Sequence, residues 1–292
     1  MKRKPAVSIG VSTYNRKDYL KLSLDSLLAQ SYPECEIIVV DDGSSDGTGE
    51  MMAREYPQII YVYQENAGDA AAKNHAARIA SGEYIVFNDS DDLFLPDTVA
   101  KLVAALPEDD PTAVSYGTYQ TIDADGNLLP TKRKAESFPS GKITGELLCH
   151  ILVNSTATLM PRKLFLEKGG FDQTLRCAHD YDLFLDLSLG SGFFAVQEPL
   201  FLRRRHGGNL SAGSYDKIAL VLKVLEKFIA DHPAVATDFA GVIRRRRGDM
   251  HRKLCREAVR EKRKKEARFH AREAFHCSPD LRNFFRLLAA YF

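Results

Sequence analysis

Three aspartates, Asp89, Asp91 and Asp92, stand with Ser90 directly behind the apolar run Tyr84-Ile85-Val86-Phe87. A run that short and apolar reads as a buried strand, and carboxylates crowded at its C-terminal end repel one another unless a cation sits among them. The simplest resident is a divalent metal. Mg²⁺ and Mn²⁺ take oxygen ligands, and Mg²⁺ sites combine one or two carboxylates with substrate phosphates. The competing reading is structural, with Asp91 or Asp92 capping a helix that begins near Leu93-Pro96.

The elements around this cluster alternate in type. Residues 6–12 form a β-rich run, after which Leu20, Leu24, Leu27 and Leu28 recur at helical spacing up to Tyr32-Pro33. Glu36-Ile37-Ile38-Val39-Val40 reads as a second buried strand, closed by the turn Asp41-Asp42-Gly43-Ser44-Ser45-Asp46-Gly47. A helix over 48–56, a strand over 59–63, a helix over 69–80 and the strand over 84–87 follow. Strands that are apolar throughout, separated by amphipathic helices, predict an α/β fold whose mostly parallel sheet is covered on both faces. Ligands of such sheets bind beyond the carboxyl ends of the strands, which gathers Ser12-Thr13-Tyr14-Asn15, Asp41-Asp42 and Asp89 to Asp92 on one edge.

At 292 residues and 45% hydrophobic, the chain can bury a full core. Its five cysteines are scattered and odd in number, with no Cys-x-x-Cys pair, which indicates neither a disulfide framework nor a zinc site and fits a reducing cytosol. Met1-Lys2-Arg3-Lys4-Pro5 runs straight into a strand-like segment, and no apolar run approaches the ~18 residues of a membrane span. The sequence thus predicts a cytoplasmic chain. Its net charge of +1 conceals an asymmetry: from Gly241 onward there are sixteen Lys and Arg against six Asp and Glu, a net of +10 that leaves −9 for the rest. An acidic first piece and a basic, helical second piece are expected.

Nucleotide binding is the natural use of the shared edge. Tyr14 can stack on a base or simply close the sheet edge, and Asp41 or Asp42 can accept a hydrogen bond from a base N–H or organise the Gly-Ser turn. No Gly-x-Gly-x-x-Gly follows the first strand and no Gly-Lys-Ser/Thr loop is present, which disfavours a dinucleotide dehydrogenase or a P-loop NTPase. A diphosphate here would be neutralised by metal.

The segments Val7-Ser8-Ile9-Gly10-Val11-Ser12-Thr13-Tyr14-Asn15-Arg16, Ile38-Val39-Val40-Asp41-Asp42-Gly43-Ser44-Ser45-Asp46-Gly47-Thr48 and Phe87-Asn88-Asp89-Ser90-Asp91-Asp92 resemble successive signatures of glycosyltransferase family 2. Asn66-Ala67-Gly68 followed by Lys73-Asn74 does too. The resemblance spans about residues 5–215 and implies a GT-A fold, a nucleotide-diphosphate sugar donor, a divalent cation (Mn²⁺ or Mg²⁺) and inversion at the anomeric carbon. By position it implies base contacts from the Ser12, Thr13 and Tyr14 region and from Asp41 and Asp42, a ribose-facing Asp89, and Asp91 as metal ligand of the DxD motif. Lys73 stands where the family often has arginine, so it can bind diphosphate but without planar bidentate geometry.

Further on, Gly169-Gly170-Phe171-Asp172 and His179-Asp180-Tyr181-Asp182 resemble the family's acceptor-side motif, in which an acid at a helix start is the general base. Asp180 matches that acid, and His179 replaces a common glutamate. The structural alternative makes Asp180 a first-turn helix residue, with Asp182 paired to a nearby cation. Arg203-Arg204-Arg205-His206 resembles the Arg-x-His segment that folds over the donor, which implies His206 as a metal ligand and Arg205 as a diphosphate contact; a solvated basic loop is the alternative.

The expected division is a GT-A domain over 1–215 and a basic helical extension over 216–292. In the extension, Arg244-Arg245-Arg246-Arg247 and Lys262-Arg263-Lys264-Lys265 precede the amphipathic stretch Leu281, Phe284, Phe285, Leu288. That combination suggests an anionic membrane surface as a partner, with a homodimer contact as the alternative and no nucleic-acid module present. The reading as a whole is an inverting, metal-dependent transferase that moves sugar from a nucleotide-diphosphate donor, UDP by default, to a glycan or lipid-linked acceptor during surface polysaccharide synthesis. A sugar nucleotidyltransferase and a catalytically silent nucleotide-sugar-binding protein are the alternatives.

Overall fold

Alternation along the first strands dictates how the sheet is covered. Ile38, Val40, Ile85 and Phe87 enter one hydrophobic cluster, whereas Ile37, Val39 and Val86 enter another, so both faces of these strands are buried. The computed structural model describes residues 6–130, 138–207 and 215–279. Among these, β1 (Val7–Thr13), β2 (Cys35–Asp41), β3 (Ile60–Tyr63), β4 (Tyr84–Asp89), β5 (Leu93–Phe94), β6 (Val114–Ile122), β7 (Thr158–Pro161) and β8 (Phe193–Arg204) form one sheet in the order β3-β2-β1-β4-β7-β6-β8-β5. The first four are parallel neighbours; β7 runs antiparallel between β4 and β6, β8 is parallel to β6, and β5 is antiparallel to β8.

Helices α1 (Lys17–Leu28), α2 (Thr48–Glu55), α3 (Asp69–Ile79) and α4 (Thr98–Ala104) connect the first strands. α1 buries Leu20, Leu24 and Leu27, one face at helical spacing, against Val39 and Val86. Three short or mid-length helices, α5 (Thr144–Cys149), α6 (Arg162–Glu167) and α7 (His179–Ser188), cover the opposite face. After them come α8 (Tyr215–Asp231), α9 (Pro233–Asp238), α10 (Ala240–Arg260) and α11 (Lys264–Cys277). The described part of the basic segment is therefore helical as expected, and Leu225 of α8 and Leu254 of α10 share one hydrophobic cluster with Phe87 and Phe184. The amphipathic stretch from Leu281 to Phe292 lies outside the described residues. No helix among the described residues is long and apolar enough to cross a membrane.

The structure departs from the capping alternative for Asp91 and Asp92. A strand, β5, begins at Leu93, and the next helix starts only at Thr98 with Asp97 before it. This matters for the site. β5 pairs with Phe201 and Leu202, so the end of β8 is carried back over the aspartates that precede β5.

Candidate active site

Strand register builds the floor of the site. Ser12 stands opposite Val40 on one side and Asp89 on the other, and Thr13 stands opposite Asp41, so the three strand ends expected to share an edge do share it. Above this floor two charged poles form.

The first pole is centred on Lys73, which projects from α3 and is 1% exposed. Its ammonium donates to Asp89 Oδ1 at 2.7 Å, Asp69 Oδ2 at 3.0 Å and Ser155 Oγ at 3.2 Å. Asp69 in turn accepts from the Ser12 hydroxyl and lies 3.3 Å from His179 Nε2. Burial works against the ammonium, yet Asp69 and then Asp89 outweigh it and raise Lys73 above its ordinary value. Burial likewise opposes the Asp69 carboxylate, and Lys73, then His179 and Ser12, hold it well below the usual carboxylate range.

The second pole is centred on Asp91. Its Oδ2 lies 2.8 Å from His206 Nε2 and 3.0 Å from Arg16 Nη1, with the Asp91 and His206 side chains only 6% and 11% exposed. The His206 ring packs on Tyr19 at 4.8 Å between centroids, and the Arg204 guanidinium lies over the same tyrosine. Arg204 is 2% exposed; its Nε donates to the Asp91 carbonyl and its backbone N–H to Asp92 Oδ1. Arg205 is exposed and is tied to β6 through its backbone N–H. Between the poles sits Asp92, 4% exposed. Burial, reinforced by the charges of Asp89 and Asp91, raises its carboxyl well above the usual range against the pull of the Arg204 N–H.

The donor set of the second pole suits the expected metal. One carboxylate oxygen and one imidazole nitrogen converge on one point, already matched by a cation in Arg16, and Mn²⁺ or Mg²⁺ accepts such a partial set when phosphate oxygens complete it. Among the described residues no group of three or more His, Cys, Asp or Glu is placed to hold a metal by itself.

On the base side, Asp41 is engaged within the chain. Its Oδ1 accepts the Ser44 N–H and its Oδ2 the Tyr61 hydroxyl, so it organises the turn. Asp42 accepts from Gln64 Nε2 and the Ala67 N–H through Oδ1, and from the Gly68 N–H through Oδ2. Gly68 has φ +95°, a backbone that glycine adopts without strain, and it leads directly into Asp69 and α3. Tyr14 is 50% exposed, open to stacking, while Thr13 Oγ1 is buried with no partner among the described residues.

The acceptor-side helix reaches the same edge. The Asn74 side chain, next to Lys73, donates to the Phe171 carbonyl and accepts its N–H; a Cβ on Gly170 would lie 2.4 Å from Asn74 Oδ1, so only glycine fits there. Phe171 packs against His179 at 4.9 Å between ring centroids. His179 follows Ala178, whose φ of +64° is costly for a residue with a Cβ and turns the chain sharply into α7. Asp180, in the first turn, receives the Tyr181 N–H on Oδ1 and is partly exposed. Asp182 pairs with Lys227 at 3.4 Å. Asp69, Arg16 and Ser155 are members that reading the sequence missed. The spacing of Asp69 four residues before Lys73 is a helical ion-pair signal that would have found the first.

The same architecture occurs in solved structures. TarS residues 1–349 of S. aureus in complex with UDP-GlcNAc superposes with a TM-score of 0.62 at 17% identity, covering 98% of this chain and 89% of that one. The mannosyltransferase PcManGT of Pyrobaculum calidifontis, in complex with GDP-Man and Mn²⁺, gives 0.61 at 18% identity, covering 99% and 80%. The fold is GT-A.

In sequence, an uncharacterised glycosyltransferase of Rickettsia typhi is 34% identical over 206 residues, 69% of this chain and 64% of its own length. The chondroitin synthase of Escherichia coli is 32% identical over 219 residues, 74% of this chain and 31% of its own. The chain thus spans between about a third and two thirds of the length of these relatives. The model of glycosyl transferase family 2 matches residues 8–169, and the chain belongs to that family.

Proposed function

We propose that the chain is an inverting, metal-dependent glycosyltransferase that takes sugar from a nucleotide-diphosphate donor, with UDP the favoured nucleotide, to a hydroxyl of a glycan or lipid-linked acceptor. The observation that carries this reading is the chain of contacts from Asp89 through Lys73 and Asp69 to His179. It ties the start of the helix bearing Asp180 to the strand end that leads into Asp91. Relatives named for making chondroitin and hyaluronan favour a polysaccharide product, and the UDP-GlcNAc complex of a protein with this fold favours UDP.

In the proposed reaction Asp180 takes the proton of the acceptor hydroxyl. That oxygen attacks the anomeric carbon while the bond to the diphosphate breaks on the opposite face and the bonding pair leaves with the diphosphate. Tyr14 stacks on the base and Thr13 Oγ1 is free to bond the nucleotide. Arg205 and Arg16 offer positive charge to the departing diphosphate. Asp91 and His206 would hold a divalent cation, which supplies further charge stabilisation when bound.

Asp180→Asn tests the central assignment. The variant is expected to bind UDP with wild-type affinity in calorimetry and to lose on the order of 10²–10⁴ in transfer rate. A near-normal rate would reduce Asp180 to a helix-start residue.

A further inference from the structure

Among the described residues, a second charged feature lies outside this site. α10 and α11 form an antiparallel hairpin around the turn at 261–263, closed by the buried Ala258, Ala267, Ala271 and Ala274, and α10 also packs on α8 and α5. The opposite face of the hairpin is basic. α10 exposes Arg245, Lys253 and Arg256, and α11 exposes Lys264 and Arg272. Several acids nearby are already paired: Glu257 is buried between Arg256 and Arg260, Asp249 holds Arg252, Glu226 holds Arg247, and Asp216 holds Arg263. Glu266 and Glu273 of α11 are half-buried, so cations outnumber acids on the exposed face. Apolar side chains stand among the cations, with Val259 58% and Phe269 56% exposed. Val259 lies three residues after Arg256, and Phe269 three before Arg272, so each shares a helix face with its cation.

We propose that this hairpin face docks the protein on a bilayer surface containing anionic phospholipid. Headgroups take the charge of two rows of cations, and Phe269 and Val259 enter the boundary with the acyl chains. A nucleic-acid backbone would satisfy the cations but leave both apolar side chains in water. On its inner face the hairpin places the buried Arg246 of α10 beside Tyr181, the neighbour of Asp180. The docking does not depend on the transfer reaction.

The test is co-sedimentation of the full chain with phosphatidylcholine vesicles, with and without phosphatidylglycerol. Wild type is expected to bind only the anionic vesicles and to release them as salt rises. Each neutralised cation lowers partitioning by about fivefold, so Arg245→Gln, Arg256→Gln, Lys264→Gln and Arg272→Gln together should cost on the order of a hundredfold or more. UDP binding by the same variant should be unchanged. Phe269→Ser should weaken vesicle binding severalfold without changing its salt dependence, and it carries the test, with the wild-type salt titration, should the fourfold variant fail to fold. Binding that survives the fourfold change or high salt, or wild type that ignores phosphatidylglycerol, overturns the proposal. So does tighter binding to a duplex oligonucleotide that is indifferent to Phe269→Ser.

Discussion

The Lys73 and Asp91 poles face the same strand edge but treat their charge in opposite ways. At Lys73 three bonds from one buried ammonium end on Asp69, Asp89 and Ser155, and the partners come from α3, the end of β4 and a residue 82 positions away. Such a network is compensated inside the protein and behaves as a girder between the donor floor and α7. At Asp91 one oxygen serves both His206 and Arg16, one placed just after β8 and the other just before α1. Both partners sit at element ends, where small backbone changes can move them. On the proposed reaction, the contrast separates the part of the site that positions from the part that would exchange partners with a ligand.

Removing Lys73 is the severest way to break that contrast. Lys73→Met leaves Asp69 and Asp89 without their shared cation; because both carboxylates are partly exposed, water offsets part of the penalty of breaking a buried pair, and a loss of about 1–3 kcal/mol is expected. Urea unfolding should show the loss as a lower midpoint. An unchanged midpoint would deny the girder role.

The exchangeable pole should respond differently. Asp91→Asn is expected to leave unfolding within about 1 kcal/mol of wild type, since the side chain keeps its size and one acceptor oxygen, and the attraction lost to Arg16 is offset by relief of the repulsion on Asp92. Its UDP affinity in the presence of Mn²⁺ should fall at least about tenfold, equivalent to ~1.4 kcal/mol, while affinity without metal changes little. Calorimetry with and without the ion reads the difference. Equal losses in both conditions would assign Asp91 to the nucleotide itself.

How much of this was legible depended on the distance between partners. The four parallel strands declared themselves through continuous apolar runs such as Ile37-Ile38-Val39-Val40, and the shared edge followed from topology. The antiparallel half did not. β6 carries Thr118, Gln120 and Thr121, and β8 carries Gln197, Glu198 and Pro199, so neither shows a clean period, and their places depend on each other. Asp91 and Asp180 stood out as motif members. Asp69 did not: its spacing to Lys73 marks only a helical ion pair, and its place in the site comes from Ser12, 57 residues earlier, and from His179 on a later helix. The inward engagement of Asp42 was hidden for the same reason: its partners, Ala67 and Gly68, belong to a different loop.

Asp92, lying between the poles, gives the smallest effect and the finest probe. Its folded-state carboxyl is raised by burial and by Asp89 and Asp91, whereas in the unfolded chain it titrates near pH 4. The folded state then holds the proton more tightly, so this group's contribution is fully present below about pH 4 and is lost as pH rises through the raised value. Asp92→Asn removes the ionisation and keeps an oxygen for the Arg204 N–H. The variant should match wild type near pH 4 and become progressively more stable than it toward neutral pH, read as unfolding midpoints across a pH series. Mn²⁺ with UDP should narrow the gap, because a cation beside Asp91 favours the ionised form of its neighbour. A gap that is constant with pH would mean that Asp92 is already ionised in the folded protein, and would move the burden of the crowded charge onto Asp89 and Asp91.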